Sequence, residues 1–279
     1  MQIAALIAAH HKPHLLEKLL DRLSAPLWRP YIHLDTKSSL SGFIHLRGKG
    51  AFVEDRVNVR WSGFSQVAAS LALLRSAYAD PANSHFYLMS GQCFPVRSDS
   101  DIRAALAAGR GDFFDAVKMP APTKPLRRLE EWHLADMKPS LLRRALQKFL
   151  SRLFPRNVGK LLNGVQPYGG SSWWLFSRPS VKKMLDFLNE NPWFVDAFRF
   201  TLCPDEMFFQ TLALHLGVAP ERGTPTFTKW RQGFPHPATV TLEMLDEIDG
   251  TWCLMARKFD DPVLLERFAA SDSAVARHP

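Results

Sequence analysis

The sequence predicts an α/β fold with a largely parallel sheet and helices on both of its faces. In the N-terminal half, apolar runs of strand length alternate with amphipathic helical patterns in the order β-α-β-β-α-β-α. Hydrophobic residues make up 46% and charged residues 22% of the 279 residues, a balance typical of a soluble globular protein. No apolar run reaches the roughly 18–20 residues that a membrane-spanning helix needs. Integral-membrane, fibrous and disulfide-scaffold classes are therefore excluded.

The elements of the N-terminal half follow from their hydrophobic periodicity. Ile3–Ala9 is an apolar run of strand length, and Pro13 then opens a helical pattern that Pro26 ends. Further strands are predicted at 31–35, 56–61 and 85–89, with helices at about 65–78 and from Ser98 or Asp99 onward.

The C-terminal half is less regular. Helices are predicted at 139–153, 178–189, 205–216 and near 241–248, and strands at 169–176, 226–230 and 253–256. No linker rich in glycine, serine or proline interrupts the chain, so residues 1–279 are interpreted as a single domain.

A ligand site is expected where the predicted strands end. In parallel sheets ligands bind beyond the carboxyl ends of the strands. The polar groups predicted there are His10–His11, Asp35–Lys37, Trp61–Gly63 and Ser90–Gln92. This placement locates a site without defining its chemistry.

The positive charge is concentrated in one segment. The chain carries a net charge of +8, and residues 118–160 contain eleven Lys and Arg against three acids, an excess of 11 − 3 = +8. The pattern indicates a basic face rather than an evenly basic protein. Within it, Ser140–Phe154 is an amphipathic helix. Three interpretations are open: a surface helix whose apolar stripe packs on the body, docking of 140–156 on an anionic membrane or acceptor, and nucleic-acid binding, which the lack of interleaved aromatic residues disfavours.

The three cysteines, Cys93, Cys203 and Cys253, are odd in number and lack zinc-binding spacing. Free thiols in a reducing compartment are therefore expected. No signal-peptide n-region precedes the first strand, and the expected location is cytoplasmic.

Two motifs invite a metal interpretation. His10–His14 follows a strand without a neighbouring carboxylate, so a strand-end loop that contacts a ligand is favoured over a metal site. Asp99-Ser100-Asp101 has the Asp-x-Asp form that many sugar-nucleotide enzymes use for Mg²⁺ or Mn²⁺. It stands where a helix begins, however, and capping of backbone N–H groups is favoured. No metal site is predicted.

Three other segments carry charged or aromatic residues in suggestive positions. Cys203–Phe209 holds two acids in a first helical turn, which dipole complementarity explains as well as a general base would. Ala256–Asp260 ends a strand with two cations, either a surface pair or a diphosphate clamp. Gly169–Trp174 supplies tryptophans for a core or for stacking on a sugar.

Together these segments resemble the core-2/I-branching enzymes, glycosyltransferase family 14, which includes β-1,6-N-acetylglucosaminyltransferases and peptide O-xylosyltransferases. Seven segments between about residues 3 and 261 match in order and with similar spacing. They are Ala5–His14, Ile32–Ser38, Arg56–Val67 (RVNVRWSGFSQV), Leu88–Pro95 (LMSGQCFP), Gly170–Leu175, Pro204–Thr211 (PDEMFFQT) and Ala256–Phe259.

The resemblance implies a GT-A fold, a UDP-sugar donor, inversion at the anomeric carbon and catalysis without a metal cofactor. It implies a nucleotide-binding half at about 1–115 and an acceptor half at about 116–279 with a basic helical insertion near 118–160. By motif position Glu206 is the expected catalytic base, and Arg257 and Lys258 are the expected diphosphate-binding pair. The remaining matched positions are Asp35, Val59, Arg60 and Trp61 for donor contacts and Ser172 and Trp173 for the sugar pocket.

Departures from the family pattern leave the donor sugar open between N-acetylglucosamine and xylose. Cys93 stands where the family often has Asp, and Ser172 stands where xylosyltransferases have Asp. The Golgi anchor and paired cysteines of animal members have no counterpart, so a soluble bacterial-type member is expected, peripheral at the inner face of the membrane if the basic helix binds lipid. The alternatives are a non-catalytic sugar-nucleotide or carbohydrate-binding module and a metal-dependent transferase that uses Asp99 and Asp101.

Overall fold

A computed structural model describes residues 1–231, 233–234 and 236–265. The strands, in chain order, are β1 Ile3–Ala9, β2 Trp28–Leu34, β3 Ala51–Phe52, β4 His85–Ser90, β5 Phe94–Pro95, β6 Val117–Lys118, β7 Tyr168–Gly169, β8 Leu175–Ser177, β9 Thr226–Thr228 and β10 Met255–Arg257. The α-helices are α1 Pro13–Arg22, α2 Ser65–Tyr78, α3 Asp99–Ala107, α4 Arg127–Glu130, α5 Leu141–Leu153, α6 Val158–Leu161, α7 Arg178–Glu190, α8 Pro192–Phe198, α9 Phe208–His215 and α10 Leu245–Asp249. Short 3₁₀ helices lie at Leu40–Leu46, Pro204–Glu206 and Leu242–Met244.

The central sheet has the strand order β3-β2-β1-β4-β8. Its first four strands run parallel, and β8 pairs antiparallel with β4. A smaller sheet has the order β5-β10-β9, and β6 pairs with β7. The prediction of a mixed α/β fold with a parallel-dominated sheet is confirmed.

Helices cover both faces of this sheet because the central strand is apolar on both sides. Ile3, Ala5 and Ile7 of β1 join the core beneath α1 and α3, whereas Ala4 and Leu6 join the core beneath α2, α7, α8 and α9. Side chains alternate between the faces of a strand, so a continuous apolar run is what a doubly covered strand requires.

The prediction of a strand at 56–61 is wrong. The third strand is the two-residue β3, and residues 56–60 form an extended loop without strand pairing. Arg56 fixes this loop by donating from its guanidinium to the carbonyl oxygens of Leu34, Asp35 and Ser38 at 2.8 Å each. The alternating pattern thus belongs to a loop that crosses the carboxyl end of β2.

In the C-terminal half the predicted elements are present but shorter. Residues 170–174 interrupt the predicted 169–176 strand, and the predicted helix at 205–216 is a 3₁₀ turn followed by α9. The strands predicted at 226–230 and 253–256 are β9 and β10, and the helix predicted near 241–248 is a 3₁₀ turn followed by α10. Among the described residues, none of the helices has both the length and the apolar composition that crossing a bilayer requires.

Candidate active site

The carboxyl ends of β1 and β2 hold Asp35 in a buried position. Its side chain accepts from the backbone N–H of Lys37 at 2.9 Å and from the Lys37 ammonium at 2.5 Å. The same ammonium donates to the carbonyl oxygen of Val59. Lys37 therefore connects Asp35 with the loop that the sequence assigns to donor contacts.

That loop lines a cavity of about 530 Å³. Val59, Arg60 and Trp61 form one side of it, and Arg143 and Gln147 of α5 lie on its wall. Trp61 remains 68% exposed, so its ring is open to a ligand. Of the six residues predicted to bind the donor, Val59, Arg60 and Trp61 line this one concave site, the form that small-molecule sites usually take.

Two residues with left-handed backbones join this cavity to the segment that carries Glu206. Ser62 has a φ of 63° and Cys203 a φ of 49°, which is uncommon for residues with a side chain. The Cys203 N–H donates to the Ser62 carbonyl at 3.0 Å. Burial raises the pKa of the Cys203 thiol to about 12, so the thiol is neutral and unreactive near neutral pH.

Glu206 lies at the end of the 3₁₀ turn, with its side chain 25% exposed. Its Oε2 atom accepts from the ammonium of Lys124 and from the guanidinium of Arg128, the latter at 2.7 Å. No described residue donates to Oε1. The carboxylate is therefore held by one oxygen and open at the other.

Asp205 beside it is a second carboxylate that the sequence did not single out for a separate role. Its Oδ2 accepts from the hydroxyl of Ser172 at 2.6 Å and from the amide of Gln66 at 3.3 Å, while no described residue bonds the buried Oδ1. Burial, followed by the charge of Glu206, raises the pKa of Asp205 to about 6, and the Ser172 hydrogen bond opposes this rise. Perturbed carboxyl groups of this kind concentrate at functional sites.

Positions 169 and 170 have no room for a side chain larger than that of glycine, because two other segments approach them closely. A Cβ on Gly170 would lie 2.0 Å from the Asp115 carbonyl oxygen, and one on Gly169 would lie 2.8 Å from the Lys124 side chain. The Gly170 N–H donates to the Glu206 carbonyl at 2.8 Å. Glycine here permits the packing that brings Ser172 and Lys124 to the acidic pair.

Arg257 reaches the same cluster from β10. Its guanidinium lies over the Trp173 ring, 4.4 Å from the ring centre, and its Nε has no described hydrogen-bond partner although it is buried. Burial lowers the pKa of Arg257, and the adjacent Cys93 thiol opposes this shift. An anion would supply both the missing acceptor and the missing counter-charge.

Lys258 lies near His10 and His11, at the end of β1. His10 and His11 stack there with ring centres 4.0 Å apart. Burial is the main cause that lowers the pKa of both rings, and the charge of Lys258 contributes to each; the pKa of His11 falls to about 4. Both histidines are thus neutral near pH 7. His10 and His11 form part of the site at the strand ends.

The structure links the predicted site residues into two neighbouring groups. One contains Asp35 with Val59, Arg60 and Trp61. The other begins with Arg257, which stacks on Trp173; the adjacent Ser172 donates to Asp205, and Glu206 is the next residue in the chain. The Ser62–Cys203 hydrogen bond and the Gln66–Asp205 contact connect the groups. The roles assigned to these residues remain predictions.

Three cations of the basic segment are not on a basic face, which corrects part of that prediction. Lys124 and Arg128 pair with Glu206. Arg156 is buried and donates to the carbonyl of Ala197 in the last turn of α8 and to that of Phe200 just after it. These pairings could not be predicted from the sequence because the partners lie 41 to 82 residues away. Only an apolar setting around each cation could have signalled them.

Asp99 and Asp101 lie in the first turn of α3, but neither carboxylate accepts from a described backbone N–H, so the prediction that these two acids cap the helix is wrong. The Ser98 hydroxyl caps the helix by accepting from the Asp101 N–H at 3.2 Å. Asp99 Oδ1 accepts from Arg22 at 2.9 Å and from the Trp28 indole at 3.1 Å. Across the described part of the chain, no three His, Cys, Asp or Glu side chains cluster as a metal site would.

Comparison with known proteins identifies the class to which this fold and site belong. Residues 3–253 match the Core-2/I-Branching enzyme family, and the chain belongs to that family. It is 25% identical over 224 residues to the human β-1,3-galactosyl-O-glycosyl-glycoprotein β-1,6-N-acetylglucosaminyltransferase, an alignment that covers 75% of this chain and 48% of the relative. The chain thus spans about half the length of the curated relative. The resemblance inferred from the seven segments is confirmed, and with it the glycosyltransferase class at the level of the family. Arg257 and Lys258 lie just beyond the matched residues.

Proposed function

We propose that this chain is an inverting, metal-independent glycosyltransferase that moves a sugar from a UDP-sugar to a hydroxyl of a glycan or glycoconjugate. The observation that carries the proposal is the line of contacts from Arg257 through Trp173 and Ser172 to Asp205 and Glu206. In support of the proposal, the Nε of Arg257 lacks an acceptor, and Glu206, which follows Asp205 in the chain, has one carboxylate oxygen without a described donor.

In the proposed reaction, Glu206 acts as the general base. The acceptor oxygen attacks the anomeric carbon while its proton passes to Glu206 Oε1. The bond from that carbon to the UDP oxygen breaks on the opposite face, and UDP leaves with the electron pair. Lys124 and Arg128 hold the carboxylate by its other oxygen and so orient it for this transfer.

Arg257 and Lys258 are proposed to stabilise the departing diphosphate. Two fixed cations offset the charge that grows on the leaving group, the task that a divalent ion performs in metal-dependent transferases. The cavity beside Val59 and Trp61 would receive the remainder of the nucleotide. The relative's name favours N-acetylglucosamine as the sugar, and Ser172 beside Trp173 would line its pocket.

The experiment is a UDP-release assay with UDP-N-acetylglucosamine and UDP-xylose, each with a galactose-terminated acceptor, in the presence and absence of EDTA. We expect release from one donor, unchanged by EDTA. Glu206→Gln should lower the rate by roughly 10²–10⁴, the usual contribution of a positioned base. The matched control is Glu131→Gln, which alters a 51% exposed acid in the same basic segment and should leave the rate unchanged.

Two outcomes would contradict the proposal. UDP binding without release from any donor would indicate a non-catalytic sugar-nucleotide module. Activity that EDTA abolishes and Mn²⁺ restores would indicate a metal-dependent transferase.

A further inference from the structure

The helix α5 packs on the protein with its polar side. The Gln147 side-chain oxygen accepts from the Leu134 N–H at 3.2 Å, and the Ser151 hydroxyl accepts from the Trp132 N–H at 3.0 Å. Arg143 donates to the Met137 carbonyl at 3.2 Å. These three residues follow one another at helical spacing, so the inner side of α5 is a row of hydrogen-bonding groups.

The apolar stripe of α5 consequently faces away from the body, and no residue of the helix is buried. Leu142 is 78% exposed, Phe149 54% and Leu153 56%, with Leu146 between them on the same stripe. The interpretation in which this stripe packs on the body is therefore wrong. Contiguous exposed apolar surface of this kind marks an interaction site rather than ordinary protein surface.

Cations border the stripe along one edge. Arg144, Lys148 and Arg152 are exposed and repeat every four residues, and α5 contains no acid. An apolar strip beside a row of cations complements an anionic phospholipid surface, where acyl chains lie beneath negative headgroups. A second copy of the chain fits poorly, because a two-fold contact would place these cations against their own equivalents.

The helix is held in place at both ends, so the face is preformed. Before α5, Asp136 accepts from the Ser65 N–H at 3.2 Å at the start of α2. After it, Arg156 is buried and donates to the Phe200 carbonyl at 2.9 Å. The inner residues Arg143 and Gln147 line the 530 Å³ cavity, which therefore lies directly behind the exposed face.

From these observations we propose that the outer face of α5 binds the surface of membranes that contain anionic phospholipid. The apolar stripe enters the headgroup boundary while Arg144, Lys148 and Arg152 contact the lipid phosphates. When α5 is bound to the membrane in this way, the cavity lined by Arg143 and Gln147 lies next to the bilayer. The proposal does not depend on the chemistry assigned to Glu206.

The test is co-sedimentation of the full chain with vesicles of phosphatidylcholine alone or mixed with phosphatidylglycerol, at low and high salt. We expect binding only to the mixed vesicles, and weaker binding at high salt because the Debye length shortens. Each cation near an anionic surface contributes about 1 kcal/mol, so replacing Arg144, Lys148 and Arg152 by Gln should weaken binding on the order of a hundredfold. Replacing Leu142, Phe149 and Leu153 by Ser should also abolish it.

The control replaces three exposed cations on other helices, Arg75, Lys182 and Lys183, by Gln, which removes the same charge and should change binding little. None of the substituted side chains is buried, and thermal unfolding will verify that every variant folds. Equal binding to both vesicle types, no binding to either, or equal loss in the control variant would overturn the proposal. A lipid-free dimer that the Ser variants convert to monomer would also overturn it, because a second copy would then cover the face.

Discussion

The guanidinium of Arg257 lies over the indole of Trp173, 4.4 Å from the ring centre, and Trp173 directly follows the serine that donates to Asp205. A residue at the end of β10 is thereby placed beside a segment between β7 and β8. Stacking on an aromatic face orients a guanidinium without using its N–H donors, and the buried Nε of Arg257, which has no described partner, remains available to an anion.

Trp173 should therefore position Arg257 for nucleotide binding. Trp173→Ala removes the stacking surface, and since a cation–π contact contributes about 0.5–2 kcal/mol, UDP affinity should fall by about twofold to thirtyfold. Trp173→Phe keeps an aromatic face and should retain most of the affinity. Calorimetric titration with UDP measures both, and equal affinities for the Ala and Phe variants would argue against stacking as the cause.

Lys124 and Arg128 should affect turnover more than substrate binding. Either residue changed to Gln leaves the Glu206 carboxylate with one cationic partner, so the base is less firmly oriented and kcat should fall while the acceptor KM changes little. Arg127→Gln is the control, since Arg127 is the exposed neighbour on α4. Steady-state kinetics distinguish the cases, and a rise in KM with unchanged kcat would assign the two cations to substrate binding.

Asp205→Asn should stabilise the protein at neutral pH while impairing the site. Burial raises the pKa of Asp205 from 3.8 to about 6, so the folded state favours its protonated form. The folded state therefore takes up protons more readily than the unfolded state between about pH 4 and pH 6, and stability contributed by this group is lost as the pH rises through that window. Above pH 6 the variant should exceed the wild type by about 3 kcal/mol in free energy of unfolding.

Below about pH 4 the carboxyl group is protonated in both states, and the difference between Asp205→Asn and wild type should vanish. Denaturant unfolding across the pH range measures it. A variant that is less stable than the wild type at pH 7 would show that the ionised carboxylate is stabilised by contacts with Ser172 and Gln66 more than burial costs it.

Arg156 should be a structural residue despite its place in the basic segment. It donates to the carbonyls of Ala197 in α8 and Phe200 just after it, and its guanidinium lies over the Trp132 ring, 5.5 Å from the ring centre. Arg156→Ala leaves these buried carbonyls without donors and should lower the free energy of unfolding by on the order of 3 kcal/mol. Arg152→Ala, four residues earlier and exposed, should cost less than about 0.5 kcal/mol. Equal effects of the two changes in denaturant unfolding would refute the distinction.

Hydrophobic periodicity and capping residues predicted correctly the helices that are determined by residues close together in the sequence. The helix at 65–78 and the Ser98 cap follow from periodicity and from hydroxyl capping, and the structure has both. The prediction of a strand at 56–61 was wrong because this segment is held by the Arg56 side chain rather than by pairing with a neighbouring strand.

The site was predictable only as a set of separate segments. The resemblance to the family implied Glu206 and the Arg257–Lys258 pair as site residues, but it could not reveal that Lys124 and Arg128 join Glu206 across 82 and 78 residues. Nor could periodicity show that α5 turns its polar side inward, because an amphipathic pattern defines two faces without saying which one the protein covers.

In the proposed reaction, Glu206 and the Arg257–Lys258 pair act on opposite ends of one bound sugar nucleotide. The direct measurement is calorimetric titration of UDP into wild type, Glu206→Gln and the double variant Arg257→Ala with Lys258→Ala, each assayed in parallel for turnover. We expect that Glu206→Gln binds UDP at least as tightly as wild type yet has lost turnover. We expect the double variant to bind UDP more weakly than wild type. Lost UDP affinity in Glu206→Gln, or wild-type affinity in the double variant, would contradict the proposed reaction.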